Sequence, residues 1–135
     1  MLRDLDLEFK LMSRILVVED DQFLRDLYNE LLTEAGYTVD LGTDGEEGLN
    51  KVSVGGYDLV LLDIMLPKMD GLEILKRIKN SPPKKDNGPI VLLTNLGQDA
   101  IIKEGFSLGA TGYIIKSAMT PDQVLSEVKV FLKQT

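Results

Sequence analysis

Asp58-Leu59-Val60-Leu61-Leu62-Asp63-Ile64-Met65-Leu66-Pro67, continuing through Lys68-Met69-Asp70-Gly71, is a short apolar run closed by an acid and then by a turn. Leu59 to Leu62 show no polar alternation, so a strand there must be covered on both faces, as in a parallel sheet flanked by helices. Ile15-Leu16-Val17-Val18 and Ile90-Val91-Leu92-Leu93 have the same character. These three runs are expected at the centre of the sheet. Tyr37-Thr38-Val39-Asp40-Leu41 alternates apolar with polar, and Tyr113-Ile114-Ile115 is short, so both suit the edges. Longer amphipathic segments separate the runs, which predicts an α/β chain of five strands and five helices built from repeated βα units.

Side-chain oxygens mark the helix starts, because the first amides of a helix lack partners within it. Asp21 suits such a cap. Asp44 with Glu47, Asp70 with Glu73 and Thr120 with Gln123 have the spacing of reciprocal capping boxes, with Pro121 at its favoured first position. Phe23, Leu27, Leu31 and Ala35 predict the buried stripe of the first helix; Val124, Val128 and Phe131, with Leu125 and Leu132, predict that of the last. Ser81-Pro82-Pro83-Lys84-Lys85-Asp86-Asn87-Gly88-Pro89 is rich in breakers and is expected to be a mobile loop. Residues 1–13 stand outside the βα series and form an N-terminal leader. It is either an expression remnant, with Met12-Ser13 as the native start, or a natural arm; the domain proper is residues 14–135.

The 135 residues hold 15 Lys plus Arg against 22 Asp plus Glu, a net charge of −7. One domain of this size can bury a real core. The acidic balance argues against direct binding of nucleic acid or of an anionic membrane, and no apolar run is long enough to span a bilayer. The expectation is a soluble, cytoplasmic protein. With no His and no Cys, the chain has no disulfide, no imidazole base, no Ser/His/Asp triad and no thiolate or imidazole metal site. Chemistry here must run on carboxylates, Lys, hydroxyls or hard metal ions.

Open parallel sheets collect ligands beyond the carboxyl ends of their strands. Strand one ends in Glu19-Asp20-Asp21, strand three in Asp63, strand four in Thr94 and strand five in Lys116, so acids, a hydroxyl and an ammonium share one rim. Clustered carboxylates repel one another unless a cation intervenes, and hard oxygen donors select Mg²⁺, Mn²⁺ or Ca²⁺. A metal, a carboxylate and a lysine suit phosphoryl transfer onto the carboxylate, with Asp63 as nucleophile. Taken singly, Asp21 and Asp70 read as helix caps, Thr94 as a β-former and Lys116 as a surface lysine. Their convergence at one rim is what carries the chemistry.

These residues resemble the receiver domain of two-component response regulators, over essentially all of residues 14 to 133. The likeness rests on Ile15 to Asp21, on Asp58 to Pro67 with Asp70-Gly71, on Leu92-Leu93-Thr94, and on Gly109-Ala110 followed by Gly112-Tyr113-Ile114-Ile115-Lys116. It implies a flavodoxin-like, doubly wound five-stranded sheet of order 2-1-3-4-5. It also implies Asp63 as phosphoacceptor, and Mg²⁺ (Mn²⁺ as a substitute) held by Asp20, Asp63 and the Met65 carbonyl, with Glu19 acting through a water. By the same resemblance Thr94 is the hydroxyl that bonds the phosphoryl group, Lys116 the ammonium that pairs with it, and Tyr113 an aromatic switch. The implied partners are a histidine kinase or histidine phosphotransfer protein and a downstream protein bound at the α4-β5-α5 surface, the chain being a monomer or weak homodimer. A single-domain regulator is expected, its output being a protein partner or an output domain removed by truncation.

The chain departs from the family pattern at Ser117, where Pro is usual, which disfavours a cis peptide. Asn95 replaces a smaller residue, and Met65 stands where a polar side chain would help place a water. Met65, with Leu96, predicts a long-lived aspartyl phosphate. Two other readings stay open: a binding module that works without phosphorylation, and a carboxylate-based phosphohydrolase, for which Met65 occupies the place of the second acid. A flavin-binding role would rest on fold alone.

Overall fold

The computed structural model describes residues 13–95 and 97–133. Five strands, β1 (Arg14–Val18), β2 (Thr38–Gly42), β3 (Leu59–Asp63), β4 (Ile90–Thr94) and β5 (Gly112–Ile115), form one parallel sheet in the order β2-β1-β3-β4-β5. The helices are α1 (Gln22–Glu34), α2 (Gly45–Val54), α3 (Gly71–Asn80), α4 (Asp99–Ser107) and α5 (Pro121–Leu132). The three uninterrupted apolar runs lie inside the sheet and the two weaker ones at its edges, as their patterning requires.

Each central strand sends alternate side chains to two separate cores. Ile15, Val17, Leu59, Leu61, Val91 and Leu93 meet α1 and α5; Leu16, Val18, Val60, Leu62 and Leu92 meet α2, α3 and α4. Every one of these strand residues is fully buried, and such a side chain contributes about 1.5–3 kcal/mol relative to an exposed one. The sheet is therefore a rigid base from which all five carboxyl-end loops project.

The structure corrects three expectations of local detail. The inward face of α1 is Leu24, Tyr28, Leu31, Leu32 and Ala35, while Phe23 is 76% exposed, so the apolar stripe runs one position later than its spacing suggests at the helix start. Asp44 and Asp70 cap their helices through the amides of Glu47 and Glu73, but the reciprocal arm exists only at Thr120 and Gln123. Glu47 instead accepts from Thr43 Oγ1 and pairs with Lys51, and Glu73 pairs with Arg77 one turn on. A lysine or arginine four residues ahead competes for a glutamate that would otherwise turn back.

The third correction concerns 81–89, which is tethered. Lys84 and Lys85 amides donate to the Ser53 and Val54 carbonyls, the Gly88 amide donates to Tyr57, and the Asn87 side chain bonds both the Tyr57 amide and the Val52 carbonyl. Of the leader, residues 1–12 lie outside the described residues. Ser13 is buried, and its carbonyl accepts from the Thr38 amide.

Candidate functional site

β1 and β3 deliver Glu19 and Asp63 to the same point because they are paired neighbours ending at one level. Both side chains are almost fully buried, Glu19 at 0% and Asp63 at 2% exposure, whereas Asp20 is exposed. Oxygens of the three carboxylates all lie within 4.8 Å of one another. Lys116 reaches over from the end of β5 and donates from Nζ to Asp63 Oδ2 at 2.8 Å and to Glu19 Oε1 at 3.0 Å. Its backbone amide is fixed by the Thr94 carbonyl. Glu19, Asp20, Asp63, Met65, Asn95 and Lys116 line one open cavity at this rim.

Local chemistry aims the two buried acids. The Asp21 amide donates to Glu19 Oε2 and the Met65 amide to Asp63 Oδ1, so each carboxylate has one oxygen on a backbone amide and the other on Lys116. Burial raises the Glu19 pKa, the neighbouring Asp63 raises it further, and Lys116 and the Asp21 amide pull it back only in part. Burial opposes the charge on Lys116, yet its bonds to Asp63 and Glu19 outweigh that and hold its pKa above the ordinary lysine value. One ammonium thus serves two buried carboxylates, and the Asp20 carboxylate has no partner among the described residues. An all-oxygen donor set with surplus negative charge fits a hard divalent cation.

The turn after β3 is held against the start of α2. The Gly45 amide donates to the Pro67 carbonyl, and a Cβ on Gly45 would lie 1.7 Å from the Met69 carbonyl oxygen, so only glycine permits this approach. Lys68 has φ of 68° and ion-pairs with Asp44 and Glu46. Gly71 passes close to the backbone of Asp63 in the same way. The segment carrying Met65 is thereby fixed relative to Asp63, with the Met65 side chain 58% exposed at the rim.

Thr94 and Tyr113 stand apart from this cluster. Thr94 is buried at the end of β4, and its hydroxyl donates to Gln98 Oε1 and lies 3.2 Å from the Asn95 carbonyl; among the described residues it makes no bond to Asp63. Tyr113 faces outward, 44% exposed, with its ring edge-on to Phe106 of α4 at 6.2 Å. The described peptide bonds include no cis bond, in keeping with Ser117 after Lys116. Asp21 and Asp70 are helix caps. Leu96 lies outside the described residues.

Two residues at the site have no role in the sequence reading. Arg25, one turn into α1, donates from Nη1 to the Glu19 and Asp20 carbonyls at 3.0 and 3.1 Å and so clamps the β1–α1 loop. Its position four residues after the Asp21 cap is a usable signal. Gln98, just before α4, holds the Thr94 hydroxyl and the Asn95 amide. Nothing in the sequence marks a glutamine four residues beyond a threonine for that role.

The sequence model of the response regulator receiver domain matches residues 15–129. Transcriptional regulatory protein DltR of Streptococcus agalactiae is 41% identical over 122 residues, 90% of this chain and 53% of the relative. Transcriptional regulatory protein ResD of Bacillus subtilis is 35% identical, again over 90% of this chain and 49% of its own length. The chain spans about half the length of the curated relatives it matches. Among solved structures, the chemotaxis response regulator CheY4 of Vibrio cholerae superposes with a TM-score of 0.78 at 30% identity, covering 89% of this chain and 98% of that one. A CheY-like receiver domain protein of Methanospirillum hungatei gives 0.79 at 30% identity, covering 90% and 94%.

Proposed function

The chain belongs to the receiver domain family of response regulators, and from that premise we propose that it accepts a phosphoryl group on Asp63 from a phosphohistidine of another protein. The observation that carries this reading is the buried Asp63 carboxylate, flanked by Glu19 and Asp20 and bonded to Lys116 at 2.8 Å. In the transfer, an Asp63 oxygen forms the new O–P bond as the bond from phosphorus to the donor imidazole breaks. The donor nitrogen keeps that electron pair. The 135 residues contain no histidine, so the donor is supplied from outside them.

Asp20, Asp63 and the Met65 carbonyl, with Glu19 through a water, would hold Mg²⁺. When bound, it draws charge from the phosphoryl oxygens and offsets the repulsion between an anionic nucleophile and an anionic donor. Lys116 supplies the second positive charge and already sits on the nucleophile. Arg25 holds the backbone of Glu19 and Asp20, and the Asp21 and Met65 amides hold the Glu19 and Asp63 carboxylates, so little reorganisation is left for the transfer itself. Met65, in place of a polar side chain, cannot itself orient an attacking water, which favours a persistent adduct over turnover.

The signal passes outward by population shift. A phosphoryl group brings charge and acceptor oxygens that reward a state with the Thr94 hydroxyl closed on it, and only that differential contact moves the equilibrium. The receiving surface is α4-β5-α5, where Phe106, Tyr113 and Val130 are exposed. Titration of the protein with Mg²⁺, followed by amide shifts, tests the metal assignment. Asp20→Asn should weaken binding by about tenfold or more, in the range of a lost charged ligand, while unchanged binding would remove Asp20 from the set.

A further inference from the structure

We propose that Gln98 is a latch on the switch: its side-chain carbonyl holds the Thr94 hydroxyl in the unphosphorylated state, and phosphorylation must break that bond. The inference rests on the reading of Asp63 as phosphoacceptor and extends it to a residue outside the phosphoryl site. Gln98 Oε1 accepts from the Asn95 amide at 3.1 Å and from Thr94 Oγ1. The amide proton fixes the identity of that glutamine atom, since an N–H can only donate and the atom facing it has to be the oxygen. Thr94 Oγ1, bonded to the same oxygen, must therefore donate to it as well.

A hydroxyl has one proton. To bond a phosphoryl oxygen on Asp63, Thr94 must withdraw that proton from Gln98 Oε1 and from the Asn95 carbonyl, 3.2 Å away, which shares it, so the phosphoryl group competes with both. Gln98 is also the residue from which α4 begins: its own carbonyl accepts the Ile102 amide at 2.9 Å, and its side chain makes no cap bond to the helix. Release of the Thr94 proton consequently loosens the first turn of α4, the helix that carries Phe106 against Tyr113. The outward position of Tyr113 and the engaged Thr94 hydroxyl belong to one latched arrangement. Gln98 is a positioning residue: it acts through Thr94 and is not among the residues that line the cavity at Asp63.

The test is the affinity of the full chain for beryllofluoride, a phosphoryl mimic, in saturating Mg²⁺, for wild type, Gln98→Ala, Gln98→Leu and Gln98→Glu. The latch predicts about three- to tenfold tighter binding for Ala and Leu, the size of one neutral hydrogen bond. The carboxylate introduced by Gln98→Glu is a stronger acceptor for the same proton, so binding in that variant should weaken. A role in packing alone would move all three variants in one direction. Before any ligand is added, Ala and Leu should also raise the population of inward Tyr113 rings seen by NMR. Equal affinities in all four proteins overturn the latch and leave the phosphoacceptor assignment standing. No binding by wild type, in a sample shown to bind Mg²⁺, overturns that assignment and the latch with it.

Discussion

Lys116→Met isolates the electrostatic logic of the site, because methionine keeps much of the lysine stem and removes only the charge. Among the described residues this ammonium is the one cationic side chain paired with Glu19 and Asp63, both of them buried. Without it, two buried carboxylates face each other unpaired, and the folded chain relieves them by taking up a proton, chiefly on Glu19, whose pKa burial already raises. Unfolded, the same group ionises near its ordinary value. The folded variant thus holds a proton that the unfolded chain releases, and its stability falls as pH rises above that value. Each pH unit over which only the folded variant holds this proton costs about 1.4 kcal/mol, so the penalty should be larger at pH 7 than at pH 5, by up to about 3 kcal/mol. Urea denaturation of wild type and variant at both pH values, in chelator and in saturating Mg²⁺, measures it. A divalent cation bound at the carboxylates should recover most of the loss at pH 7 by linkage. A penalty that is equal at the two pH values, or unaffected by Mg²⁺, would refute this reasoning.

Gly45→Ala should destabilise the fold by about 2–3 kcal/mol in the same assay, since its Cβ meets a backbone carbonyl that cannot rotate away. It should also disturb the amide shifts of 64–70 more than those of β1. Tyr57 donates to Asp40 at 2.8 Å and, through burial first and this bond second, has a pKa pushed up to about 12. In an absorbance titration it should ionise near pH 12, and stability should fall between pH 10 and about 12, where only the unfolded chain loses this proton; Tyr57→Phe should abolish that late step. Met65→Asn should speed loss of an aspartyl phosphate by about tenfold or more by offering a polar group to the attacking water, and an unchanged lifetime would separate the persistence of the adduct from Met65.

The central strands were readable because residues buried on both faces tolerate nothing polar, so Leu59 to Leu62 and their two counterparts have one structural use. The rim of Glu19, Asp20, Asp63, Thr94 and Lys116 was readable for a related reason: parallel strands all end on one side, and topology alone then gathers their next residues. Helical faces were less legible. Phe23 fits the α1 periodicity but sits where the helix has just left the sheet, so spacing alone could not fix the buried face. The fate of Glu47 and Glu73 depended on nearby Lys51 and Arg77, a competition between two local rules. Neither the tethering of 81–89 nor the Gln98 contact has a sequence signature, because each depends on segments brought together only by the complete fold. The partners of Asn87, Val52 and Tyr57, lie 35 and 30 residues away in the chain.

The most direct test of the central claim is intact mass after incubation with a small acyl phosphate and Mg²⁺, run beside Asp63→Asn. A base-labile phosphate adduct that requires the metal is expected on the wild type and none on the variant. An adduct that survives in Asp63→Asn, or none on a wild type that binds Mg²⁺, would contradict it.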